Sequence, residues 1–294
     1  MPALPADRLS RLASWLRCPV CGEDLSPVDR LTLGCENGHR HDVNKRGYVS
    51  LLGGGSKLAG DTAEMLDARD AVLESGVYSP IAEAVAARAV AAHAETPVER
   101  VLDAGAGTGY YLRSTLTALP DADGLAMDLS PAAVARAARP SGAAEGRIDG
   151  LVADTWRPLP IRSALCDVVL DVFAPRNLPE FHRVLRPGGS LIVVVPRADH
   201  LAELRAAGTM LDVPGDKAEE LIAASAPLYA LQTREHVAAD LHLTTEVRAA
   251  LIAMGPSAHH AASRAAEDAA SITATELPDT THLSVDVLHL SARP

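Results

Sequence analysis

The sequence predicts a Rossmann-like α/β domain, doubly wound around a parallel sheet, with a small separate module at its amino end. Three observations carry that expectation. From Val98 onward, the short apolar runs RVLDAG, GLAMDL, GLVAD, LCDVVLDVF and SLIVVVP alternate with helical stretches, as strands buried on both faces do. The first run closes on Gly105, Gly107 and Gly109, where a chain turning from strand into helix can approach a ligand. Finally, three of only four cysteines crowd into CPVCGEDLSPVDRLTLGCENGHRHDV, residues 18–43.

At 294 residues and 48% apolar content, the chain can fill one large domain and one small one. Residues 1–17 read as a short helix with Leu9, Leu12 and Leu16 on one stripe. Next, Cys18 and Cys21 (C-x2-C) and Cys35 with His39 (C-x3-H) supply four borderline-soft ligands at the spacing of two tight knuckles; the metal expected there is zinc. So small a module cannot fold on apolar burial alone, so the metal supplies its folding energy. A Gly-rich connection from Gly53 to Gly60 closes a first unit of residues 1–60. Residues 61–97 read as two linking helices, one with Asp61 as N-cap and Glu64 three residues on, the other starting near Pro80. Residues 98–294 hold the α/β domain, and the late runs LYALQTREHV and HLSVDVLHL add an antiparallel pair to its sheet.

Composition excludes several classes. Cys166 stands alone in an apolar run and reads as core, so no disulfide framework is expected and the reducing cytoplasm fits. The opening MPALPADRLSRLASWL lacks a basic stretch followed by an uninterrupted apolar one, and no apolar run approaches the roughly 18 residues of a membrane span. A cytoplasmic protein without a membrane partner is the expectation. The formal charge of −11 argues against a general nucleic-acid coat. Residues 1–60, however, carry eight Lys and Arg against six Asp and Glu, which leaves about −13 for the remainder, so a polyanion would be met at the amino end.

The glycine cluster VLDAGAGTGYY is not a dinucleotide fingerprint, because G-x-G-x-x-G would need glycine where Tyr110 stands. Asp103, just before the glycines, suits a cofactor with a cationic amino-acid tail; beside a pyrophosphate it would repel. The second strand ends at Asp128, 19 residues past Gly109, where a carboxylate can accept both hydroxyls of a ribose. The third ends VADTW, which sets Asp154 beside the expected adenine, with Thr155 and Trp156 as edge or face contacts. Acids ending three successive strands around a glycine loop point to S-adenosylmethionine. The segment after strand four would face the transferred methyl, so Asp171, Phe173, Ala174, Pro175, Arg176 and Asn177 are candidate substrate contacts. VLRPGG, residues 184–189, reads as a turn into strand five.

Together, the knuckle with GYVSLL, then GDTAEMLDARDAVLESGVYSP, VLDAGAGTGYY, FAPRN and PRADHLAEL resemble the bacterial large-subunit ribosomal RNA guanine-N1 methyltransferases of the RlmA family. The resemblance runs from about residue 16 to 290. FAPRN and the late AMGPS resemble its Gram-positive branch, which includes tylosin-resistance methyltransferases. It implies a class I S-adenosylmethionine-dependent methyltransferase acting on a guanine of hairpin 35 of 23S rRNA (guanine-748 type), with two such subunits paired as a homodimer. It further implies zinc on Cys18, Cys21, Cys35 and His39, and cofactor contacts from Tyr78, Gly107, Thr108 and His200. Two departures stand out. His41 replaces an aromatic and competes with His39 for the metal, though spacing prefers His39; His259 or His260 replaces another that could stack on the target base.

Methylation at guanine N1 requires an exposed Watson–Crick edge and removal of its proton. Asp171, at the end of strand four, is the candidate acceptor; the bland alternative is a cap for the following loop. The basic residues Arg40, Lys45, Arg46 and Lys57 are candidate RNA contacts that would orient the hairpin over the cofactor pocket, against the alternative of a metal-stapled lid that only shapes its mouth. Two other functions compete: a small-molecule N- or O-methyltransferase of secondary metabolism, which the acidic charge favours, and a non-catalytic sensor that keeps the cofactor fold.

Overall fold

The computed structural model describes residues 6–53, 60–94, 96–207, 217–254 and 277–294. The five apolar runs form β5 (Arg100–Ala104), β6 (Asp123–Asp128), β7 (Ile148–Val152), β8 (Cys166–Val172) and β9 (Leu185–Pro196), with α4 (Tyr110–Ala118), α5 (Pro131–Ala137) and α6 (Leu178–Val184) among their connections. They pair in parallel in the order β7-β6-β5-β8-β9. The late runs form β10 (Tyr229–His242) and β11 (Thr280–Ala292), and β11 lies antiparallel between β9 and β10. Strand order therefore reverses direction at β5. The carboxyl ends of β5, β6 and β8 frame the crevice where ligands bind in such sheets.

Beyond β7 the sheet continues into the amino-terminal module. Its strands β1 (Ser26–Asp29), β2 (Thr32–Gly34), β3 (Arg40–Asn44) and β4 (Tyr48–Ser50) follow one another as antiparallel neighbours. β4 then pairs in parallel with β7, Tyr48 opposite Gly150 and Ser50 opposite Val152, so the sheet has eleven strands among the described residues. The approach is close: a Cβ on Gly150 would stand 2.6 Å from the Tyr48 side chain, and only glycine leaves that room.

Two apolar cores fill the faces. One joins Leu25, Leu33, Val43 and Val49 of the module to Leu125, Leu151, Phe181 and Tyr229, beneath α1 (Ala6–Trp15), α6 and α8 (Lys217–Ser225). The module thus has no core of its own. α1 buries Leu9, Leu12 and Trp15 there and is held by Arg8 and Arg11, which reach the fully buried Asp149 of β7 at 3.3 and 2.8 Å. The other core lies under α2 (Ala63–Glu74), α3 (Ser79–Ala91), α4, α7 (Ala202–Ala206) and α9 (Thr245–Ala253).

The N-cap of α2 corrects the sequence expectation. Thr62 fills that position, its hydroxyl accepting from Met65 N at 3.3 Å; Asp61 instead pairs with Arg69. A hydroxyl one residue later wins because Asp61 has a cation within reach and its own carbonyl accepts from Ser130. VLRPGG is also more than a turn, since β9 starts at Leu185 and shifts register against β8 before the regular ladder begins at Ser190.

Candidate active site and metal centre

The glycine loop begins where β5 ends. Gly105, Gly107 and Gly109 have φ of +83°, +52° and +82°, conformations that cost other residues energy. A Cβ on Gly105 would also drive into that of Ala174. The loop curls over Asp128, whose carboxylate accepts from Gly107 N at 2.9 Å and Ser130 N at 2.8 Å. Each oxygen keeps a free lone pair toward the crevice.

Among the described residues, several buried polar atoms around this loop accept or donate no well-formed hydrogen bond: Asp103 Oδ2, Thr108 Oγ1, the Tyr111 hydroxyl and both Asp171 oxygens, one of which has the Arg176 guanidinium as an ion-pair neighbour. Orphans of that kind mark a site built for a polar ligand. Burial, then the neighbouring Asp128, pushes the Asp103 carboxyl up to about 7. Burial also pushes the Asp171 carboxyl well above its ordinary range, opposed by Arg176 at 3.3 Å. Two carboxyls held up in this way gain from a ligand that brings positive charge. S-adenosylmethionine, with an ammonium and a sulfonium, fits this donor set.

The remaining expected residues surround the same crevice. Tyr78, ending the turn before α3, is buried, and its ring centroid lies 6.2 Å from those of Phe173 and His200. Phe173 and His200 stack at 5.9 Å. His200 Nδ1 accepts from Ser284 N at 3.2 Å, so the ring proton sits on Nε2; burial lowers its pKa to about 4. It is a neutral donor and cannot take a proton through Nε2. Phe173 holds φ +54° directly after β8, strain that costs of order 1–3 kcal/mol. Asp154 and Thr155 follow β7, Thr155 being buried and Asp154 half-buried.

Among the substrate-contact candidates, Asn177 is engaged elsewhere. It caps α6, accepting from Glu180 N, and donates to the carbonyls of Thr155 and Arg157. Arg69 was missed by sequence reasoning. From α2 it pairs with Asp61 at 2.5 Å and crosses the loop, its Cδ 3.5 Å from where a Cβ on Gly107 would stand. Nothing in its local pattern signals this, because only tertiary packing brings α2 across the crevice.

In the module, one ligand atom from each of Cys18, Cys21, Cys35 and His39 lies within 4.8 Å of the others. Cys21 and Cys35 sulfurs are 3.6 Å apart, close to the roughly 3.8 Å that tetrahedral zinc with 2.3 Å bonds demands. Gly22 and Gly38 turn the two knuckles at φ +79° and +84°. Asn37 and the Glu23 backbone lower the Cys21 thiol to about 6, favouring the metal-binding thiolate. His39 completes the group, while His41 stands outside it with Nε2 3.6 Å from Cys18 Sγ.

The three candidate RNA contacts among the described residues do not share an edge of the sheet. β3 runs antiparallel to β4, so Arg40 stands at the carboxyl edge of the parallel strands, beside the metal cluster; Lys45 and Arg46, in the turn before β4, stand at the opposite edge. Register thus sets Lys45 and Arg46 at the edge of the sheet away from the crevice, where a phosphate contact would be remote from the cofactor pocket. Arg40 Nη1 also clips the knuckle, donating to the Cys35 and His39 carbonyls. Lys57, like His259 and His260, lies outside the described residues.

The electrostatics predict opposite pH responses. A neutral Asp103 is cheaper to bury, so its stabilising contribution to the cofactor-free fold is complete below about 4 and lost as pH rises through about 7. An ammonium-bearing ligand at Asp103 would pair with its ionised form. S-adenosylhomocysteine affinity is therefore expected to fall by up to about tenfold per pH unit below 7, measured by calorimetry between pH 6 and 8. A flat profile would remove Asp103 from ligand binding.

Comparison with known proteins agrees with this architecture. Residues 16–57 match the family model described as RlmA, N-terminal, and residues 101–189 match the model of a methyltransferase domain. The chain is 45% identical to the 23S rRNA (guanine(748)-N(1))-methyltransferase of Streptomyces fradiae over 84% of this chain and 86% of that protein. It is 43% identical, over 85% and 88%, to a Micromonospora griseorubida protein provisionally named a 23S rRNA (guanine-N(1)-)-methyltransferase. The crystal structure of Bacillus subtilis YcgJ superposes with a TM-score of 0.51 at 16% identity, covering 72% of this chain and 99% of that one; at this identity it speaks for the fold.

Proposed function

The chain belongs to the RlmA family of 23S rRNA (guanine-N1)-methyltransferases, and from that premise we propose that it methylates N1 of a guanine in hairpin 35, of the guanine-748 type. One observation carries the reading: a zinc ribbon with a Cys3His cluster is built into the same sheet as the methyltransferase crevice, at its carboxyl edge. A small-molecule enzyme has no evident use for that extension.

When bound, S-adenosylmethionine supplies a methyl group already activated by its sulfonium. Asp103 and Thr108 offer orphaned oxygens to its amino-acid tail, and Gly105, Gly107 and Gly109 let the loop backbone approach it. Asp128 meets the ribose; Asp154 and Thr155 flank the adenine. Tyr78, Phe173 and His200 wall the transfer site and keep water from it. Asp171, whose oxygens take no well-formed hydrogen bond among the described residues, accepts the guanine N1 proton, and Arg176, 3.3 Å from Oδ1, favours its ionised form. Zinc on Cys18, Cys21, Cys35 and His39 holds the knuckles that present Arg40 to the hairpin.

Pairing of two subunits around the RNA and protection against tylosin-type macrolides extend the proposal. The net charge of −11 favours a second reading, a small-molecule methyltransferase. One experiment separates them. Unmodified 23S rRNA is incubated with the protein and S-adenosylmethionine, then copied by reverse transcriptase. N1 methylation blocks Watson–Crick pairing, so a new stop in hairpin 35 is expected. No stop, from zinc-loaded protein that binds the cofactor, would transfer the reading to small molecules.

A further inference from the structure

We propose that Trp156 is a stacking platform for an unpaired nucleobase of the RNA substrate, beside the base that enters the crevice. The inference rests on the rRNA reading above and adds a docking residue to it. The chain has two tryptophans. Trp15 is fully buried under the Arg100 guanidinium, 4.9 Å from its ring centre, whereas Trp156 is 63% exposed. An indole in water is costly to keep unless something covers it.

The loop that carries Trp156 is fixed on both sides. Trp156 N donates to Asp154 Oδ1 at 3.0 Å, Arg157 N to Asp154 O at 3.1 Å, and Asn177 to the Thr155 and Arg157 carbonyls at 2.8 and 3.3 Å. The backbone is held while the side chain is presented. Thr155, one residue earlier, is only 8% exposed, so the loop buries one neighbour and presents the other to solvent.

Its position suits an RNA partner. Trp156 follows β7, the strand between the zinc module's β4 and the cofactor strand β6, at the carboxyl edge. A few residues on, Pro160 O accepts from Arg17 N beside the knuckle, and Asn177 links the loop to the Phe173 segment. Phe173, 38% exposed, is the other exposed aromatic of this mouth. Arg157, the next residue in the chain, has a 59% exposed side chain whose ion pair, with Asp154 at 3.6 Å, leaves it open to solvent. An aromatic face next to a cation is the pair that grips an unstacked base and its phosphate. Base stacking has no sequence preference of its own, so the platform adds affinity and position while the crevice selects guanine.

Trp15 is buried and emits as a background that a docking RNA does not reach, so an RNA-dependent change in tryptophan emission reports Trp156. Titration with a hairpin 35 oligonucleotide is expected to quench it, and S-adenosylhomocysteine alone is expected to leave it unchanged. Trp156→Ala should bind that RNA roughly 5- to 150-fold more weakly, with cofactor affinity unchanged and Trp156→Phe retaining most of the binding. Unchanged RNA affinity in Trp156→Ala, with the wild type methylating the hairpin, would overturn the platform alone. Lost cofactor affinity would make the indole a cover for adenine instead. Absence of RNA binding and methylation in the wild type would remove the rRNA reading and the platform together.

Discussion

Replacing Cys35 with Ser is expected to release zinc, unfold the knuckles and abolish rRNA methylation. Structural zinc is worth about 10–16 kcal/mol in small zinc modules, while a whole domain is stable by only about 5–15 kcal/mol. The effect should also travel beyond the module, because Val43 and Val49 share a core with Leu125 and Leu151 and β4 pairs with β7. β7 leads into Asp154 and Thr155 at the crevice, so cofactor affinity is expected to fall as well, by a smaller factor. Zinc content, thermal melting and cofactor titration of the purified variant measure the three effects in turn. A variant without zinc that melts like the wild type would show that the sheet holds the module unaided.

The contrast between these layers explains what could be read from sequence. Five central strands were legible because burial on both faces writes continuous apolar runs such as LIVVV. The metal ligands were legible because two knuckles need fixed short spacings. By contrast, β4 has three residues and its partner lies about one hundred positions away, so neither its existence as a sheet member nor its register leaves a periodic trace. That register separates Arg40 from Lys45 and Arg46, neighbours in sequence but at opposite edges of the sheet. Crevice acids were legible as strand ends, while Arg69 and the pairing of Arg176 with Asp171 depend on how α2 and the loop after β8 pack. Local chemistry leaves a signature; long-range register and helix placement do not.

Asp171→Asn is expected to lower the rate constant of methyl transfer by about 10²- to 10⁴-fold, the usual worth of a positioned proton acceptor, with cofactor affinity little changed. The amide keeps the shape of the side chain and removes its basicity. Misfolding is a poor alternative explanation, because burial has already pushed the Asp171 carboxyl well above its ordinary range. A carboxyl shifted that way stabilises the fold only while protonated, and the contribution is lost as pH rises through its folded pKa. The neutral amide should therefore melt at or above the wild-type temperature at pH 8. Single-turnover methylation of the hairpin, measured from pH 6.5 to 9, separates the possible roles. The wild-type rate should climb with pH as the carboxylate forms, while the variant's residual rate should lack that component. Arg176 bears on the same quantity: it stabilises the ionised form from 3.3 Å, so Arg176→Ala should move the wild-type rise to higher pH. If Asp171→Asn turned over within about twofold of the wild type, the carboxyl would serve the loop after β8 and the N1 proton would leave by another route.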